Sequence, residues 1–263
     1  MADESLWGRV DDAQFAYTVV LPPLPFNGDD IRESTDRTVV LTAVQDREIC
    51  DGTPAFPSHG HCVWDAALLL ADYLQTRAAL EPNDSRQLDF RGKKAVELGA
   101  GVGLVGMTLA VLGADVVLTD QQYTLPLLER NVQVNFRDNE AVHGVVPRVE
   151  ECQWGEALQQ DGDLQQWAVE KSVDIVAFSD VLYHSEASLL LIQTLLDLAS
   201  SETDVFFSFE TRSAEIEDGF LDALGIHFDI AAVSSLEYKA IFAKLDYPDE
   251  LFVYHAKRKA TAV

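Results

Sequence analysis

The chain has 263 residues, enough for one large domain, or one domain with an extension, and for a sizeable buried core. Its 48% hydrophobic and 24% charged content is ordinary for a soluble globular protein and excludes global disorder. Forty-four acidic against 19 basic residues give a net charge of −25, which repels phosphate backbones and anionic lipid heads. Nucleic acid and membrane are therefore poor partners. Basic protein surfaces or cationic substrates suit the charge better, unless it serves solubility alone.

In chain order, Phe15 to Leu21 reads as a strand that ends at Pro22-Pro23-Leu24-Pro25. Arg37 to Val44 is a second β-branched run, so the first 50 residues are β-rich. Gly52, Pro54, Pro57 and Gly60 mark an irregular loop over 51–61. Asp65 to Leu74 has helical spacing, and the polar run Glu81-Pro82-Asn83-Asp84-Ser85 precedes a change of pattern. From about residue 92, strands and helices alternate: strand Lys94–Leu98, helix Gly103–Leu112, strand Asp115–Thr119, helix Leu125–Asn135, strand Val173–Phe178, helix Glu186–Ala199. Strand Asp204–Phe209 and helix Ala214–Leu224 follow, and strands Phe228–Val233 and Leu251–Ala256 close the set. Repeated βα units predict an α/β fold, a parallel sheet with helices on both faces, whose ligands sit at the carboxyl ends of the strands.

Three cysteines, Cys50, Cys62 and Cys152, are odd in number and form no C-x-x-C pair, which argues against a disulfide framework or zinc cluster. His59-x-His61-Cys62 lacks residues to complete a four-ligand shell, so no metal site is expected. The N-terminus shows no signal peptide, and the stretch Leu189 to Ala199 is too short and polar to span a bilayer. A cytoplasmic, or also nuclear, monomer is the expectation.

Val96-Glu97-Leu98-Gly99-Ala100-Gly101-Val102-Gly103 follows a strand and opens a helix. Glycine admits positive φ and close backbone approach, and a helix start offers free N–H groups. The third glycine is misplaced for the dinucleotide G-x-G-x-x-G pattern, because position 104 is Leu. Glu97 would repel a pyrophosphate and suits a cationic ligand. Asp120 lies 21 residues after Gly99 at a strand end, where a carboxylate can accept both ribose hydroxyls. Together these features describe an S-adenosylmethionine (AdoMet) site. A plain strand–helix turn and a helix cap are the structural alternatives.

Four segments extend the pattern: Val63-Trp64-Asp65-Ala66-Ala67, the glycine loop, Gln153-Trp154-Gly155 and Ser179-Asp180-Val181-Leu182-Tyr183. In order and spacing they resemble the seven-β-strand (class I) AdoMet-dependent methyltransferases. More narrowly they resemble the methyltransferase-like 21 family of protein-lysine methyltransferases, which modify chaperones, ATPases and elongation factors. The first segment and the closing Val253 to Lys259 are most similar to the branch that acts on valosin-containing protein. The resemblance implies a Rossmann-like, seven-stranded, mostly parallel sheet. It divides the chain into a β-rich extension over 1–61, placed at the active-site rim for substrate selection, and a methyltransferase domain over 62–263.

The resemblance also assigns roles. Trp64, Glu97, Gly99, Ala100, Gly101, Asp120, Trp154 and Ser179 would bind the cofactor, Trp64 by a cation–π contact with the sulfonium and Trp154 beside the adenine. Asp180 would hold the substrate amine, with Tyr183 as wall or hydrogen-bond partner. A buried carboxylate needs a partner, and a lysine amine is a sensible one. Glu210-Thr211-Arg212 would border the substrate channel, and Lys257-Arg258-Lys259 reads as a solvated end. The D-V-L-Y run lacks the prolines of the base and glutamine N-methyltransferases. A small-molecule N-methyltransferase and a non-catalytic interaction protein on the same fold are the alternatives.

Overall fold

A computed structural model describes residues 12–22, 37–49, 59–81, 83–139, 145–158, 162–235, 237 and 250–260. Cys50, the loop prolines and glycines over 51–58, and the Pro23–Pro25 stop lie outside the described residues. Strands β1 (Gln14–Val20) and β2 (Thr38–Val44) form a two-stranded antiparallel sheet. After them come helix α1 (Asp65–Ala78), β3 (Lys94–Leu98), α2 (Leu104–Val111), β4 (Asp115–Asp120) and α3 (Leu125–Val132). The chain continues through β5 (Arg148–Glu151), α4 (Asp163–Glu170), β6 (Ile175–Ser179) and α5 (Ser185–Leu198). It closes with β7 (Asp204–Glu210), α6 (Ala214–His227), β8 (Phe228–Ala232) and β9 (Leu251–Arg258).

The main sheet is seven-stranded with order β5-β4-β3-β6-β7-β9-β8, as expected for the fold. The first five of these strands are parallel, and β9 runs antiparallel to both β7 and β8. The chain winds outward from β3 to β5, then returns to β6 beside β3, so the order reverses between β3 and β6. Such a switch point leaves a crevice at the strand ends, where ligands bind.

Successive strand residues feed opposite layers. Ala95, Leu118, Ile175, Ala177 and Phe206 join α1, α2 and α3 in one apolar cluster. Val96, Val117, Val176, Phe178, Val205 and Phe207 join α4, α5 and α6 in the other. Strands buried on both faces read as continuous apolar runs. Leu69, Leu70 and Leu74 of α1 are fully buried, each worth about 1.5–3 kcal/mol by removal from water.

The β1–β2 hairpin packs on α1, α2 and α3 through Tyr17, Val19, Leu41 and Ala43. The outer edge of β2 is met by two asparagines. The Thr42 N–H donates to Asn135 Oδ1 at 2.7 Å, and Asn135 Nδ2 donates to the Thr42 carbonyl at 2.8 Å. The Val44 N–H donates to Asn131 Oδ1 at 2.6 Å, and Asn131 Nδ2 reaches the Val44 carbonyl at 3.2 Å. The helix carrying them widens into a π turn over Gln133–Arg137, beyond the regular α-helix expected up to Asn135. Asn135→Ala should cost about 1–3 kcal/mol, because it leaves both Thr42 backbone groups unpaired. Urea denaturation measures that cost, and amide exchange at Thr42 should accelerate. Unchanged Thr42 exchange would exclude this anchoring.

Two expectations need revision. Residues 136–172 hold β5 and α4, neither of which the pattern suggested. Lys257-Arg258-Lys259 is not simply a solvated end, because β9 runs to Arg258. Arg258 Nη1 donates to the carbonyls of Leu196 and Ala199, both at 2.7 Å. It thereby satisfies carbonyls that the end of α5 leaves open. Lys257 Nζ pairs with Asp204 at 3.0 Å.

Candidate active site

A cavity of about 500 Å³ opens at the carboxyl ends of β3, β4 and β6, within the size range of small-molecule sites. Trp64, Gly99, Ala100, Gly101, Asp120, Trp154, Ser179, Asp180 and Tyr183 all line it. Five separate segments of sequence therefore meet in one place. None of the described residues 12–49 lines it, and the hairpin packs instead on α1, α2 and α3.

The glycine loop is shaped by what presses on it. Gly99 has φ +64°, and a Cβ there would lie 2.9 Å from Val181 Cγ1 and 3.1 Å from Trp154 Cζ2. Trp154 thus covers the loop, and only glycine leaves room beneath it. Gly101 has φ +56°, and a Cβ would stand 3.2 Å from the Gly60 carbonyl oxygen. The segment before α1 therefore crosses directly over the loop and brings His59, Gly60 and Trp64 into the cavity wall.

Asp120 anchors the loop from β4. Its Oδ2 accepts the Gly101 N–H at 2.8 Å, and its Oδ1 accepts the Gln121 N–H at 2.7 Å. Burial raises the pKa of its carboxyl. The Thr124 side chain bonds it as well, and the acceptor capacity left over is what Asp120 can offer a ligand while it holds the loop.

Glu97 departs from the expected set. It is 1% exposed and does not line the cavity. Its Oε2 accepts the Gly106 N–H at 2.8 Å. It therefore satisfies an open amide in the first turn of α2. Burial pushes its carboxyl up to about 8, with the Asp120 charge adding to the rise.

Asp180 follows β6 with φ +56°, a left-handed conformation that aspartate tolerates better than most residues. Its side chain is 3% exposed. The expected partner was a substrate amine, but the chain supplies its own. Arg212 Nη1 donates to Oδ1 at 2.7 Å and Nη2 to Oδ2 at 2.8 Å. Arg212 also meets Glu210 Oε2 at 2.8 Å, and its guanidinium carbon lies 5.3 Å from the Trp64 ring centroid. The cation over Trp64 in this structure is therefore Arg212. Trp64 itself is fixed by its indole N–H, which donates to the His59 carbonyl at 2.8 Å.

Tyr183 is 52% exposed at the mouth, and its ring lies 5.5 Å from that of His59. His61 is buried and accepts from Arg47 Nε at 2.9 Å. Cys62 and Cys152 are buried, and burial pushes the Cys152 thiol up to about 12, where it is inert.

Sequence reasoning missed Tyr123, Thr124 and Leu190 in the wall. Tyr123 and Thr124 lie three and four residues after Asp120, and the strand-end rule would have found them. Leu190 belongs to an ordinary helical stripe and carries no local signal.

Comparisons with known proteins bear on the family and the fold. The chain is 36% identical over 150 residues to EEF1A lysine methyltransferase 3 of Xenopus tropicalis, covering 57% of each chain. It is 33% identical over 171 residues to protein N-lysine methyltransferase METTL21A of Mus musculus, covering 65% of this chain and 69% of that one. The first match therefore spans little more than half of that relative's length. Among solved structures, the chain is similar to the T. thermophilus 16S rRNA N2 G1207 methyltransferase, in complex with AdoMet and guanosine. That match has a TM-score of 0.52 at 16% identity, over 94% of this chain and 51% of that chain, and it bears on the fold alone. The family described as lysine methyltransferase matches residues 50–226, and the chain belongs to it.

Proposed function

We propose that the protein transfers a methyl group from AdoMet to the side-chain amine of a lysine in a protein substrate. The observation that carries this reading is the meeting of the glycine loop, Asp120, Trp64 and Trp154 with Asp180 and Tyr183 around one cavity, in a chain of the lysine methyltransferase family.

The residues present fit the cofactor. The loop is bare where a Cβ would collide, and Asp120 retains acceptor capacity towards the cavity. Gly99, Ala100 and Gly101 would cradle it, Asp120 would take its ribose hydroxyls, and Trp154 would flank its base. Bound AdoMet supplies an electrophilic methyl group on a sulfonium. A lysine amine has an ordinary pKa of about 10.4, and only its neutral form carries the attacking lone pair. The protein's work is therefore to admit a neutral amine, aim it and exclude competing water. Tyr183 and Trp64 wall the approach, and the Asp180–Arg212 pair sets its charge. Held in this site, AdoMet would give up its methyl group to a neutral amine guided by Trp64 and Tyr183 and leave as S-adenosylhomocysteine, and the amine proton would pass to water.

The relatives' names make the elongation factor EEF1A the first polypeptide to test, with chaperones and ATPases next. We place the protein, as a monomer, in the cytoplasm or nucleus, a proposal supported by the buried thiol of Cys152, which is in no disulfide. Tritiated AdoMet incubated with EEF1A and with a cytosolic lysate should label a lysine in one polypeptide. Asp180→Ala should cut that labelling at least a hundredfold, because it frees Arg212 inside the transfer site. Equal labelling by both proteins would remove Asp180 from the mechanism. Absence of AdoMet binding by calorimetry would overturn the reading.

A further inference from the structure

Arg212 is held at both ends. Its backbone N–H donates to Glu217 Oε1 at 2.7 Å, and the next amide, Ser213, donates to the same oxygen at 2.9 Å. Glu217 is itself buried. At the other end the guanidinium forks onto Asp180, touches Glu210 and covers Trp64, while 40% of the side chain stays exposed towards the mouth. Bidentate guanidinium–carboxylate pairs are the strong, oriented class of ion pair, and arginine does not lose its charge at any working pH. Two carboxylates at the mouth, Asp180 and Glu210, thus share one permanent cation.

We propose that Arg212 is the positioning residue that makes this site accept lysine as a neutral amine rather than as an ammonium ion. The inference rests on the methyl-transfer reading. With Arg212 in place, the facing edge of Asp180 is taken by the guanidinium, and an incoming cation meets a fixed cation. A nearby like charge disfavours the protonated amine, so the form that can react is the form admitted. Without Arg212 the same rim would carry two bare carboxylates and would retain the unreactive ammonium.

The test compares wild type with Arg212→Gln and Arg212→Lys, after urea denaturation has established that each folds. Calorimetry measures AdoMet, which is cationic at sulfur, against S-adenosylhomocysteine, which is neutral there. Arg212→Gln should raise the preference for AdoMet about three- to tenfold, as expected for loss of one nearby cation in a partly solvated site. Arg212→Lys keeps the charge and should stay close to wild type. Where a polypeptide is labelled, the pH profile of transfer by Arg212→Gln should move about one unit to the alkaline side, with greater loss at pH 7 than at pH 9. An unchanged AdoMet preference in Arg212→Gln, or equal loss at every pH, overturns the inference and leaves the methyl-transfer reading standing. Failure of wild type to bind AdoMet overturns both. If no polypeptide is labelled, the affinity ratio decides alone.

Discussion

Glu97→Gln should make the protein more stable at pH 8 than the wild type, by a margin that shrinks as the pH falls towards 5. The Glu97 carboxyl is pushed from its ordinary 4.5 to about 8 in the folded chain. Below 4.5 it is protonated in both folded and unfolded chains. Between 4.5 and about 8 the unfolded chain loses the proton while the folded chain keeps it, so stability falls as pH rises. The loss accumulates with each pH unit across that window. Glutamine retains an oxygen to accept the Gly106 N–H and has no proton to lose. Urea denaturation at pH 5, 6.5 and 8 measures the slope. Parallel pH dependences for the two proteins would show that Glu97 is not the group responsible.

Asp120→Ala should weaken AdoMet binding about a hundredfold with a smaller effect on the melting of the unliganded chain. Two charge-assisted hydrogen bonds to a ligand are worth about 1.5–3 kcal/mol each, and the variant also releases the Gly101 and Gln121 amides that shape the loop. The rise in Tm produced by saturating AdoMet, which follows affinity, should shrink accordingly. Asp120→Asn keeps one oxygen acceptor and should fall between the two. An affinity within threefold of wild type for Asp120→Ala would move the ribose elsewhere in the cavity.

The central sheet was legible because strands buried on both faces read as unbroken apolar runs, as in Val116-Val117-Leu118 and Ile175 to Phe178. Strand β5 was not, because it is a short sheet edge. Its Arg148 is bound to Asp115 and Asp163, so its charges look like those of a loop. The glycine loop and Asp120 were legible because their chemistry is local to two strand ends. Glu97 was misplaced because proximity to the loop was read as contact with the ligand. Its alternation with Ala95, which faces the α2 layer, already points it into that layer. The Asp180–Arg212 pair could not be read at all. Its partners lie 32 residues apart and meet only because β6 and β7 are neighbours in the sheet.

The asparagine pair on β2 has a consequence beyond anchoring. A two-stranded hairpin has two open edges, and each can recruit a strand from another molecule. Asn131 and Asn135 occupy the backbone groups of Val44 and Thr42 on one edge, while Gln75 Oε1 takes the Val20 N–H of β1 at 2.8 Å. Side-chain amides thus imitate neighbouring strands without being strands. At those positions the edges are closed to pairing with another strand, so part of one route to self-association is blocked by side chains rather than by charge.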